Sequence, residues 1–146
     1  FARWLVPGYA DICLPCDSEL SALLSGAASA YLASVSGLFD INSGTTAPRL
    51  HHGLMASGDR FINCPEVSNA LRAPLLDAGH DVLAVEMEGA AVAQVCLDYG
   101  VAFAAMRTIS DRADATAHVD FAQFIDTVAS RYADHIVRNL LQSLPK

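Results

Sequence analysis

The sequence predicts an α/β fold, and three observations carry the prediction. Two apolar runs, at residues 82–85 and 101–109, have the length and continuity of short strands. They alternate with stretches whose apolar residues recur every three or four positions, the period of a helix packed along one face. Their order in the second half, strand then helix then strand then helix, is that of βαβ units, which build parallel sheets.

Residues 1–16 show no period and carry turn markers at Pro7-Gly8 and Pro15. Leu20, Leu23, Leu24, Ala27, Ala28, Tyr31, Leu32 and Val35 then trace one helical stripe, with Asp17 as its N-cap and Gly37 as its stop. Asn42-Ser43-Gly44 marks a turn, and an edge strand is expected over residues 38–41. Residues 50–57 read as a strand in spite of His51-His52. Pro65 suits a first helical turn, and Val67, Ala70, Leu71 and Leu75 continue that helix until Pro74 kinks or ends it. After the run at 82–85, residues 90–99 form an Ala-rich helix. It has Val92, Val95, Cys96 and Tyr99 on one face and Gly100 as its C-terminal signal. The run at 101–109 is expected to be a strand buried on both faces. A polar loop follows, and Asp120 caps a last helix whose stripe is Phe121, Phe124, Ile125, Val128, Tyr132, Ile136, Leu140 and Leu144. A doubly wound sheet has roughly five or six strands and opens on one. Here only three or four can be counted and the first element is a helix, so the chain is expected to be the C-terminal part of something larger.

Composition excludes several classes. With 53% apolar and 17% charged residues, the chain is too hydrophobic for a disordered tail. Its longest unbroken apolar stretch, 101–106, is far short of the roughly 18 residues a membrane helix needs. Nothing near residue 1 reads as a signal peptide. A net charge of −7 argues against a nucleic-acid surface, which needs clustered cations. Cys13-Leu14-Pro15-Cys16 has the spacing of a redox or zinc motif, but no second pair and no matched histidines complete a zinc site. Free thiols in a reducing cytosol are therefore expected, with a Cys13/Cys16 redox role as the lesser reading.

Ligands of open α/β sheets bind at strand ends. Polar residues gather at three such places: Ser57-Gly58-Asp59-Arg60-Phe61-Ile62, Glu86-Met87-Glu88-Gly89 and Arg107-Thr108-Ile109-Ser110-Asp111. Carboxylates at separate strand ends can be driven apart by environment, one staying protonated as an acid while another stays ionised to grip hydroxyls. The residues alone thus point to a polar-ligand site able to support acid catalysis. Each also has a plainer reading: a glutamate as a helix-terminal charge, Arg107 as a paired structural cation, Asp111 as a turn cap, Phe61 as core. No phosphate loop or nucleophile elbow is present, and His51-His52 has no third ligand.

Read together, these segments resemble the 5′-methylthioadenosine/S-adenosylhomocysteine nucleosidases of the purine nucleoside phosphorylase superfamily. The matching stretches are Ala56-Ser57-Gly58-Asp59-Arg60-Phe61-Ile62, then the run from Ala84-Val85-Glu86-Met87-Glu88-Gly89 through Cys96, and Arg107-Thr108-Ile109-Ser110-Asp111-Arg112-Ala113-Asp114. His118 and Phe121 also fall where the family carries them, and order and spacing fit from about residue 50 onward. The resemblance implies a three-layer phosphorylase/hydrolase-like fold with a mixed central sheet, of which residues 1–146 are the C-terminal portion of a single domain, lacking the first strands.

It also implies roles. Asp111 corresponds to the acid that protonates adenine N7, with Ser110 holding it; such an acid must carry its proton when it acts, which apolar surroundings favour. Glu88 corresponds to the carboxylate on the ribose hydroxyls, Met87 to the side chain packed on the sugar, and Arg107 to the arginine near water and ribose. Phe61 corresponds to the ring stacked on adenine, Ile62 to the residue whose backbone reads the base edge, and Phe121 to part of the 5′-alkylthio pocket. Glu86 belongs to the motif without an assigned role. The implied reaction is hydrolysis of the N-glycosidic bond, releasing adenine without metal or organic cofactor, in a cytoplasmic homodimer whose Pro7 region reaches into the partner's pocket. The family's strand bearing the water-positioning glutamate and its glycine-rich loop have no counterpart in these residues. Futalosine hydrolases, purine nucleoside phosphorylases and AMP nucleosidases are the related alternatives. A non-catalytic nucleoside-binding fragment is the alternative of another class.

Overall fold

The computed structural model describes residues 8, 9, 11–35, 48–111 and 130–144. In order these give α1 (Ser18–Val35), β1 (Leu54–Ser57), α2 (Pro65–Asp77), β2 (Val82–Glu86), α3 (Gly89–Asp98) and α4 (Ser130–Ser143). The expected edge strand at 38–41 and the Asp120 cap lie outside the described residues, as do His118 and Phe121.

Asp17 starts α1 as its sequence position suggests. Its Oδ1 accepts from the Leu20 N–H at 2.8 Å, satisfying a donor that the first turn leaves open, and its carbonyl accepts the first regular helical bond, from the Ser21 N–H at 3.0 Å. The apolar stripe of α1 then meets α4. Ala27, Ala28 and Tyr31 are buried with Ile136 of α4, and Leu24, Leu32, Val35, Tyr132 and Leu140 pack around them. Small residues at 27 and 28 let the two helices approach. Tyr31 fills the space beside them, edge-on to Tyr132 at 5.3 Å and stacked on His135 at 5.2 Å.

β1 and β2 form a parallel pair joined through α2, in the register Met55 to Ala84, Ala56 to Val85 and Ser57 to Glu86. A register irregularity lies between Leu54 and Met55. Pro65 opens α2 as expected, its missing N–H being one that the first turn would leave unpaired anyway. Pro74 does not break the helix on the spot; α2 runs on to Asp77 and closes with the His80 N–H on the Leu75 carbonyl at 2.8 Å. α3 ends in the same paired closure. The Gly100 N–H meets the Leu97 carbonyl and the Val101 N–H the Cys96 carbonyl, and a φ of +65° at Gly100 makes the bend that a side chain would resist.

Two expectations need correction. Residues 101–109 form no strand and are not buried on both faces: Val101 is 57% and Ile109 62% exposed. β1 and β2 pair with each other. The backbone bonds described for this run go to the end of α3 and, through the Phe103 carbonyl, to the Asp17 N–H at 2.7 Å. An apolar run becomes a strand only where a neighbour offers a ladder. Likewise the α3 face carrying Val92, Val95 and Tyr99 is exposed, and the helix instead buries Ala93.

Ile136→Ala is expected to lower the unfolding free energy by about 2–4 kcal/mol, since it empties the middle of the α1–α4 contact. Asp17→Ala should cost about 1 kcal/mol through its lost cap. Urea titrations followed by helical circular dichroism measure both.

Candidate functional site

The parallel register sets Ser57 beside Glu86 at the C-terminal ends of β1 and β2, the edge at which such sheets hold ligands. The Ser57 Oγ accepts from the Ala90 N–H at 3.0 Å, and its hydroxyl donates to the Glu86 carboxylate. Glu86 Oε2 also accepts from the Gly89 N–H at 2.7 Å, the Glu88 N–H at 3.2 Å and Arg107 Nη2 at 2.5 Å. The carboxylate thus satisfies backbone donors of the first turn of α3, a position that favours negative charge. Burial, the largest single influence, works to raise the pKa of this side chain, only 9% exposed; the hydrogen bonds from Ser57, Arg107, Gly89 and Glu88 together outweigh it. The carboxyl is held below the ordinary carboxylate range.

The approach leaves little room at Gly89: a Cβ there would stand 2.7 Å from Glu86 Oε1 and 3.0 Å from its Cδ, so the carboxylate would have to shift. Glu88 occupies the N-cap position of α3, yet its side chain makes no cap hydrogen bond. It turns to Arg107 instead, with Nη2 to Oε2 at 3.1 Å. Arg107, 40% exposed, therefore bridges a nearly buried carboxylate and an exposed one.

The Arg107 segment continues to Ser110, whose hydroxyl donates to Asp111 Oδ2 at 2.6 Å, with both residues half-buried. Across the opening stand Phe61, 40% exposed rather than core, and half-buried Ile62. Phe61, Ile62, Met87, Glu88, Arg107, Ser110 and Asp111 all line one open cleft of about 940 Å³, a volume within the usual range for small-molecule sites. Of the site residues singled out in the sequence, only Phe121 lies outside the described residues. The plainer readings are partly realised as well: Arg107 is indeed ion-paired, and a glutamate does serve a helix start. That glutamate is Glu86, which the sequence left without a role. Its signal was faint: an acidic residue closing a strand, three positions before a helix.

The remaining sequence candidates gather no site. Cys13 Sγ faces His80 Nδ1 at 3.7 Å while Cys16 is exposed, and no described strand precedes them as a thioredoxin-type motif requires. Among the described residues no group of three His, Cys, Asp or Glu is arranged to hold a metal ion. No described helix is long and apolar enough to cross a membrane.

Comparison with known proteins converges on one family. A 5′-methylthioadenosine/S-adenosylhomocysteine nucleosidase of Mycobacterium bovis is 36% identical over 104 residues, covering 70% of this chain and 36% of that protein. The crystal structure of the Neisseria meningitidis 5′-methylthioadenosine/S-adenosylhomocysteine nucleosidase with methylthio-immucillin-A superposes with a TM-score of 0.76 at 28% identity. The match covers 96% of this chain and 52% of that one. Futalosine hydrolase of Helicobacter pylori superposes with a TM-score of 0.70 at 27% identity, covering 96% and 51%. The chain therefore spans about half the length of these solved structures and little more than a third of the curated relative. The α/β fold expected from the sequence is the phosphorylase/nucleosidase fold of these neighbours. The family model of the phosphorylase superfamily matches residues 3–142, and the chain belongs to that superfamily.

Proposed function

We propose that these residues form the C-terminal portion of a single nucleosidase domain, which hydrolyses the N-glycosidic bond of 5′-methylthioadenosine and S-adenosylhomocysteine and releases adenine. The observation that supports the reading is that Phe61, Glu88, Arg107 and the hydrogen-bonded pair Ser110 and Asp111 line one cleft.

On this reading adenine lies against Phe61, with the backbone of Ile62 at its edge. Met87 packs on the sugar, Glu88 accepts from the ribose hydroxyls, and Phe121 contributes to the pocket for the 5′-alkylthio group. Asp111, steadied by Ser110, gives its proton to the base. The C–N bond then breaks with its electron pair passing to the purine, and a neutral leaving group departs. The ribosyl cation left behind is favoured by the fixed negative charge of Glu88; water adds to it with Arg107 close by and loses a proton, which balances the one Asp111 gave to the base and restores that acid. The chemistry calls for no metal or organic cofactor, and the ligand is a small purine nucleoside rather than nucleic acid or membrane. The protein acts as a homodimer in the cytoplasm, in methionine salvage.

The second reading is a non-catalytic nucleoside-binding fragment, in which the same cleft holds a nucleoside without turnover. Futalosine hydrolysis is the nearest enzymatic alternative, given the structural likeness to that enzyme.

Adenine release from 5′-methylthioadenosine, measured with and without phosphate, tests the proposal. Release independent of phosphate is expected; phosphate-dependent release would make the enzyme a phosphorylase, and calorimetric binding of adenine without release would favour the fragment. Asp111→Asn is expected to reduce release about 100-fold or more, the ordinary contribution of a general acid. Retention of more than about a tenth of the rate would remove Asp111 from that role.

A further prediction concerns pH. Because the folded-state pKa of Glu86 is lowered, its stabilisation is present above the unfolded value of about 4.3 and disappears as pH falls through the folded value. Glu86→Gln should therefore melt below wild type at neutral pH, with the two thermal midpoints converging as the pH falls below the unfolded value.

A further inference from the structure

We infer that Glu86 is the positioning residue of the cleft: through Arg107 and the first turn of α3, it fixes Glu88 where that carboxylate can accept a ligand's hydroxyls. The inference rests on the nucleoside reading for the ligand, and on geometry alone for the positioning.

The two ion pairs of Arg107 are unequal. Its bond to Glu86 is the shorter, at 2.5 Å against 3.1 Å, and Glu86 is 9% exposed where Glu88 is 67% exposed. An ion pair between exposed groups holds little by itself. The Arg107–Glu88 contact therefore persists because the guanidinium is anchored at its buried side. Glu86 acts on Glu88 a second way, accepting from the N–H groups of Glu88 and Gly89 and so fixing the backbone that carries the Glu88 side chain. Glu88 gives Arg107 one oxygen, Oε2. With Arg107 held from behind by Glu86, the other oxygen of Glu88 is left to the ligand. The negative charge is needed on Glu86 as well as its shape, because a neutral amide could still accept from Gly89 but would present no counter-charge to Arg107.

The experiment reads Arg107 and the ligand separately in the full chain. Phenylglyoxal modification, followed residue by residue by mass spectrometry, reports how firmly Arg107 is held. Glu86→Gln should raise the rate at Arg107 about threefold or more by removing its buried anchor, while Arg72 and Arg138 keep their wild-type rates. Glu88→Gln should leave the Arg107 rate within about twofold of wild type, since the anchor remains. Gly89→Ala, which keeps the charge but crowds the carboxylate, should release Arg107 as Glu86→Gln does. It stands in if Glu86→Gln fails to fold. An Arg107 rate unmoved in the folded variant, or raised equally at all three arginines, overturns the inference.

Calorimetry with 5′-methylthioadenosine and with adenine supplies the second arm. The preference for nucleoside over adenine should fall about tenfold in Glu86→Gln, the loss of one charge-assisted hydrogen bond, with adenine affinity held. A released Arg107 with the preference intact overturns the link from Glu86 to the hydroxyls. If wild type binds neither compound, the nucleoside reading fails and the Arg107 rates alone decide whether Glu86 positions the cleft.

Discussion

A nearly buried carboxylate at the end of a strand is tolerable only if its charge is met by donors. Glu86 meets that condition with four: a neighbouring hydroxyl, two backbone N–H groups of a helix start and a guanidinium. The four donors come from three different steps of the fold. Ser57 arrives through the parallel register of β1 and β2, the N–H groups through the turn into α3, and Arg107 through the return of the chain after α3. Satisfying one charge therefore brings together three segments around the cleft, and a Cβ at residue 89 would crowd the same carboxylate.

The cleft sets three carboxyl groups in different surroundings. Glu86 is ringed by donors that favour its ionised form. Asp111 is half-buried and accepts from the hydroxyl of its neighbour Ser110. Glu88 is exposed and tied to a cation by a single contact. The superfamily membership and the nucleosidase likeness accord with this arrangement.

Much of this was legible in the sequence, for identifiable reasons. The stripe from Leu20 to Val35 repeats over about four turns, so α1 and its buried Ala27, Ala28 and Tyr31 could be read directly. Asp17, Gly100 and Pro65 are local signals whose physics needs no tertiary partner. Ser57 and Glu86 met because the ends of parallel strands collect at one edge of a sheet, and the segment from Arg107 to Asp111 reaches that edge as an irregular stretch. What failed depended on neighbours. Residues 101–109 have the composition of a central strand but pair with neither β1 nor β2, and Val92 and Val95 lie on a helix face that these residues leave exposed. Glu86 was opaque for the opposite reason. Its importance comes from Arg107, 21 positions away, and from backbone donors that no side-chain pattern displays.

The run from 101 to 111 has one more consequence. Its Phe103 carbonyl holds the start of α1, Met106 packs against the α1–α4 core, and Arg107 reaches Glu86 at the sheet edge. The helical pair and the β1–α2–β2 unit each have their own interior contacts, and this irregular stretch clips to both. Local opening of either unit is thus expected to reach the cleft through this stretch as well as through the contacts of Leu50 and His52 with the helical pair. A fold arranged in this way concentrates the thermodynamic coupling between its parts where the candidate chemistry also sits.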